Sequence, residues 1–185
     1  MVVLVFALFV HPFLAVNSPV TADTMVVEGW VAPYVLDGAV SEFRRGAYLH
    51  VFVSGMKFSG EVETDAERSA RYLIAAGINQ NVVVATPAEE VGFNRTSHMA
   101  RAVRDRMREM GISPSGVNVV TLGPHGRQSR LAFQRMLGPN TAVGVITIPK
   151  NDYNPRFWWA SVAGIQKTTK DFAGWLKEVL VGLRS

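Results

Sequence analysis

Val117-Asn118-Val119-Val120-Thr121-Leu122 runs straight into Gly123-Pro124-His125-Gly126-Arg127-Gln128-Ser129-Arg130 and then into Leu131-Ala132-Phe133-Gln134-Arg135-Met136-Leu137. The first six residues read as a buried parallel strand. The next eight read as a polar turn, and the last seven as a helix. A strand thus delivers a histidine and two arginines to the start of a helix. In open α/β sheets ligands sit beyond the carboxyl ends of the strands. Backbone N–H groups at a helix start favour an anion there. The turn is therefore the leading candidate for the working site.

The same alternation extends in both directions. Thr24 to Val27 reads as a strand ending at Glu28-Gly29-Trp30. Pro33 suits the first turn of a helix that runs to about Arg45, with Gly46 as its stop. His50 to Val53 is a second strand, ending at Ser54-Gly55. Thr64 or Asp65 caps the next helix, whose apolar positions Ala66, Ala70, Leu73 and Ile74 share a face. Val82 to Ala85 is a third strand. Asn94 or Thr96 caps a helix carrying Ala100, Val103, Met107 and Met110 at helical spacing. Its Arg101, Arg104 and Arg108 form a solvated stripe. Val143 to Ile148 is the last strand. After Phe157-Trp158-Trp159, an amphipathic helix carries Phe172, Trp175, Leu176, Val179 and Leu180. Five strands alternating with helices imply one parallel, doubly wound sheet. The pattern does not determine strand order.

Composition narrows the class. The chain of 185 residues is 48% hydrophobic and 18% charged, which excludes a disordered chain and supports one packed domain. Cysteine is absent, so disulfides, thiolate metal sites and cysteine nucleophiles are excluded. Four scattered histidines and no metal-type spacing predict no metal site. A formal net charge of +4 favours anionic partners, but no nucleic-acid module is present. There is no P-loop, no Gly-x-Gly-x-x-Gly and no Gly-x-Ser-x-Gly elbow.

Residues 1–17 stand apart from the domain at 18–185. Val2 to Val10 is purely apolar and the run resumes at Phe13-Leu14-Ala15-Val16. It has the length of a signal-peptide core and falls short of the ~20 residues of a full span. The reading adopted is the end of an amino-terminal membrane anchor, with a signal-like segment as the alternative. A buried first strand is the soluble-protein reading of the same residues.

Small or polar residues close four strands: Glu28-Gly29, Ser54-Gly55, Ala85-Thr86 and Gly123-Pro124-His125. In a parallel sheet these converge on one edge, where glycine lets a ligand approach the backbone. His125 is a candidate proton carrier, because an imidazole titrates near neutrality. Arg127 and Arg130 can fork onto a phosphate or carboxylate. Arg95 and Thr96 sit at another predicted helix start. Asp65 is a candidate acid near the second strand, and Trp30 can stack on a flat group.

The motifs Val26-Val27-Glu28-Gly29-Trp30, Val53-Ser54-Gly55, Thr64-Asp65-Ala66, Arg95-Thr96 with Ala100, and Gly123-Pro124-His125 occur in an order that resembles the YdcF-like family. Trp158-Trp159 and Gly164 also fit. The resemblance spans Asp23 to the end of the chain. It implies a three-layer Rossmann-like domain with a mainly parallel sheet, tethered to the bacterial inner membrane and facing outward. It implies a role in envelope or lipid-carrier metabolism. It also implies S-adenosylmethionine as a ligand class, since one relative is associated with it. The chain departs from the family pattern at Gln128, where many members have arginine, at Asp65, where glutamate is common, and near Met99, where asparagine is common. Three functions follow as expectations: an enzyme acting on a phosphorylated or glycosylated carrier, a nucleotide-binding module, or a structural partner of envelope machinery.

Overall fold

The computed structural model describes residues 2–58 and 60–182, with side chains from residue 8 onward. Five strands form one all-parallel sheet: β1 (Thr24–Glu28), β2 (His50–Met56), β3 (Val83–Ala88), β4 (Gly116–Leu122) and β5 (Ala142–Ile148). Their spatial order is β3-β2-β1-β4-β5. The chain moves outward from β1 through β2 to β3, then returns past β1 to β4 and β5. The order therefore reverses between β1 and β4, the position where such sheets open a crevice.

Helices cover both faces, giving a three-layer Rossmann-like α/β fold. Val27, Val53, Val120 and Ile146 pack against α2 (Pro33–Arg45) and α3 (Asp65–Ala75). Val26, Phe52, Val119 and Val143 pack against α4 (Arg95–Glu109) and α5 (Gly126–Leu137). Alternate strand residues thus feed opposite cores, as buried parallel strands require. Pro33 opens α2, and Thr64 caps α3 in a reciprocal box with Glu67: the Glu67 N–H donates to the Thr64 hydroxyl at 3.1 Å, and the Thr64 N–H donates to Glu67 at 2.8 Å. Ala66, Ala70 and Leu73 are buried as their spacing predicts, whereas Ile74 at the helix end is partly exposed. Met110 likewise lies beyond the packed part of α4.

The stretch after β4 differs from expectation. It forms one short 3-10 turn, Gly123–His125, and α5 begins at Gly126. Arg127 to Arg130 therefore lie within the helix, not in a turn. A helix has a periodic face, so these residues point in different directions, and that decides which of them reach the site.

The buried strand that was the soluble-protein alternative does not form, since Val2–Leu14 is a helix, α1. Its thirteen residues span about 20 Å, short of the ~30 Å hydrocarbon layer. Among the described residues no helix is long and apolar enough to cross a membrane. The side chains opening the proposed anchor at 1–17 lie outside the described ones. Further along, Val10 and Leu14 are buried with Tyr153 and Trp158. Trp159, Phe172 and Trp175, the last two from α6 (Val162–Gly182), pack against that cluster. His11 meets the Tyr153 hydroxyl at 3.0 Å. The Trp158-Trp159 pair belongs to this core. The following segment bridges β5 at Ser18–Val145, and Asn118 ties it down by bonding both the N–H and the carbonyl of Val20 at 2.9 Å.

The ends of β1 and β2 touch the start of α3. A Cβ placed on Gly55 would lie 2.3 Å from the Ala66 backbone nitrogen. Only a residue without a side chain permits this approach. Gly55→Ala is expected to lower stability by about 1–3 kcal/mol. A urea denaturation midpoint equal to that of the parent would show that the two elements do not meet.

Candidate functional site

At the carboxyl edge of the sheet, one register level changes from apolar to polar. On the α4/α5 face the row reads Thr86 on β3, Ser54 on β2, Glu28 on β1, Thr121 on β4 and Thr147 on β5. The residues two positions earlier, including Val26, Phe52 and Val119, form the core beneath. A period of two places the polar row directly above that core.

Glu28 is the only carboxylate of the row, and it is fully buried. Its Oε2 accepts hydrogen bonds from the Thr121 hydroxyl and from the Ser129 hydroxyl of α5, the latter at 2.9 Å. The same oxygen lies 3.9 Å from His125 Nε2. Neither Glu28 Oε1 nor the neighbouring Ser54 Oγ has a hydrogen-bond partner among the described residues. Glu28 and Ser54 thus lie beneath the site rather than on its surface. Neither residue lines the cavity that His125 faces.

His125 occupies the centre. Its Nδ1 lies 3.3 Å from Asp171 Oδ1 of α6, and its Nε2 lies 3.3 Å from the Thr96 hydroxyl of α4. Gln128 of α5 donates to that same hydroxyl at 3.2 Å. The Trp30 ring meets the imidazole edge-on with centroids 5.0 Å apart. A chain Asp171–His125–Thr96 therefore crosses three elements. Asp171 orients the imidazole and fixes which nitrogen faces the hydroxyl. Burial alone pushes the His125 pKa down; the Glu28 carboxylate and the Asp171 hydrogen bond outweigh it, and the pKa sits above its ordinary value.

These groups face a cavity of about 640 Å³, a size suited to a small organic ligand. Five cationic side chains line it: Arg95, Lys150, Lys167, Lys170 and Lys177. Three carboxylates oppose them, Asp65, Asp171 and Glu178. Those acids already have partners. Arg68 pairs with Asp65, Arg135 reaches Glu178 at 3.0 Å, and Lys150 lies 3.5 Å from Asp171. Burial lowers the Lys150 pKa, with Asp171 acting against it. Burial raises that of Asp65, with Arg68 acting against it. Met56, Phe58, Phe93 and Met99 supply an apolar wall.

The start of α4 borders this cavity without a side-chain cap. Asn94 takes a left-handed conformation (φ 57°) and makes no capping bond. No acidic residue occupies the first turn. Its terminal N–H groups and the positive end of its dipole are left for another partner.

Of the residues expected at the site, Trp30, Asp65, Arg95, Thr96 and His125 line the cavity. Gly29 and Gly55 lie beside the α3 backbone, where a Cβ would clash, and Gly123 packs against Lys150. Arg127 and Arg130 do not line it. Arg127 donates to the Phe13 carbonyl and lies over the Phe13 ring at 3.9 Å, while Arg130 donates to the Val143 carbonyl at 3.1 Å. Helical phase explains this: the position facing the cavity is Gln128. The sequence reading missed Lys150 and the α6 residues. The spacing Lys167, Lys170, Asp171, Gly174, Lys177, Glu178 marks one helical face, and that periodicity was the available signal.

A His125 pKa above the free value of about 6.5 binds its proton more tightly in the folded state than in the unfolded chain. Its contribution to stability is complete below about pH 6.5 and is lost as pH rises through the folded value. Titrating the His125 ring by NMR is expected to give a midpoint above about 6.5, and Glu28→Gln is expected to lower it. A wild-type midpoint at or below 6.5 would contradict the bracketing by Glu28 and Asp171.

Compared with models of known families the chain matches none, and the comparison with curated proteins finds no match.

Proposed function

We propose that the cavity binds a phosphate-bearing ligand and that His125, oriented by Asp171, moves a proton at it. One observation carries this reading: the Asp171–His125–Thr96 chain lies in a cavity whose cations outnumber its carboxylates. Phosphate offers several acceptor oxygens, which suit a hydroxyl, an imidazolium and lysine ammonium groups together. The uncapped start of α4 adds a favourable field for the same charge. A histidine whose proton is held by nearby carboxylates serves as a general acid toward a departing oxygen. The order of motifs along the sequence supports a wider setting: a YdcF-like protein of envelope or lipid-carrier metabolism, held at the bacterial inner membrane through residues 1–17, with its domain outside the cytoplasm.

Trp30 favours a second reading, a non-catalytic module for a nucleotide-like ligand such as S-adenosylmethionine. Its ring lines the cavity and offers a face or edge to a base. The positive sulfonium of that ligand meets an excess of cations here, so phosphate ranks first.

The test is a thermal-shift series on wild type and His125→Ala with inorganic phosphate, sugar phosphates and S-adenosylmethionine. A ligand at 100 times its dissociation constant stabilises by about 2.7 kcal/mol. Phosphate-bearing ligands are expected to raise the wild-type Tm, and His125→Ala, folded but unresponsive, is expected to lose the shift. Stabilisation by S-adenosylmethionine alone would replace the first reading with the second.

A further inference from the structure

Of the five cations lining the cavity, Lys167 pairs with Asp152, and the other four fall into two groups. Lys150 is the inner one, beside Asp171 at the end of β5. Arg95, Lys170 and Lys177 are exposed at the rim, and no carboxylate pairs with any of them among the described residues. Arg95 lies over Phe58 at 5.9 Å and Lys177 over Phe93 at 4.6 Å, so aromatic rings, not counter-ions, hold the two. Elsewhere on the surface, Arg45, Arg71 and Arg106 each take a local acid.

Along α6 these charges follow one face. Lys170 and Lys177 are seven residues apart, about 10 Å of helix, with Gly174 between them. Gly174 lines the cavity, and a Cβ there would lie 2.2 Å from Gln128 Oε1. The absence of a side chain lets α6 close on α5 while leaving its cations on the cavity side. Positive charge thus extends from the imidazole outward over more than one anion's width.

Resting on the phosphate reading above, we infer that the ligand carries two linked phosphoryl groups. The inner group sits by His125, Thr96 and Lys150, and the outer group sits among Arg95, Lys170 and Lys177. A single phosphate satisfies the inner position and leaves the rim cations without counter-ions. A diphosphate satisfies both, and its inner bridging side faces the imidazole.

Isothermal titration with inorganic phosphate, diphosphate and methylenediphosphonate at 0.15 M salt tests this, where screening limits non-specific attraction to about 8 Å. Diphosphate and methylenediphosphonate are expected to bind wild type at least about tenfold more tightly than phosphate. The double variant Arg95→Ala/Lys177→Ala is expected to remove most of that advantage, while Lys150→Met weakens all three ligands. Equal affinity for phosphate and diphosphate, or an advantage that survives the double variant, would overturn the two-phosphoryl assignment and leave the single-phosphate reading standing. Absence of binding by all three ligands to folded wild type would overturn both.

Discussion

The buried Glu28 carboxylate is the constraint on which the site depends. A fully buried carboxylate is costly unless its oxygens are bonded. Here one oxygen gathers the Thr121 and Ser129 hydroxyls and lies near His125. The acid therefore joins the ends of β1 and β4 to the first turn of α5, across the point where the strand order reverses. Its negative charge also favours the protonated imidazole above it. One residue thus ties strand topology to the proton affinity of the central histidine.

The α6 helix completes what the sheet begins. Its buried inward face is polar: Asp171 reaches His125, and Glu178 binds Ser97 of α4 and Arg135 of α5. An apolar helix face in this position would close the crevice. A polar one leaves the cavity open and still pairs every acid it brings. On the opposite side, Phe172 and Trp175 of α6 pack with α1. The same helix thus contributes to a small aromatic core and to the cavity.

Much of the fold was legible in the residues. Pro33, Thr64 and the five apolar runs marked helix starts and strands through local physics: a fixed φ, a side-chain cap, a burial pattern. His125, Trp30, Asp65, Arg95 and Thr96 were legible as neighbours because strand ends and helix starts in a parallel sheet converge, and all five line the cavity. The start of α5 was placed too late, and in the helix Arg127 and Arg130 are phased away from the cavity. Lys150 and Asp171 went unseen because each looks like an ordinary loop or helix residue until distant elements meet, and Gln128 stood out only as a departure from the family pattern.

Strand alternation, helix caps and the absence of cysteine are properties of neighbouring residues, so the sequence alone determined the α/β class, the parallel sheet and the exclusion of thiol chemistry. Strand order, the bracketing of His125 by Glu28 and Asp171, and the balance of charge in the cavity depend on groups distant in the chain: the bonds from Asp171 to His125, from Thr121 to Glu28 and from Ser129 to Glu28 span 46, 93 and 101 residues. Only packing brings those groups within hydrogen-bonding distance, and only then does their electrostatic coupling decide the character of the site.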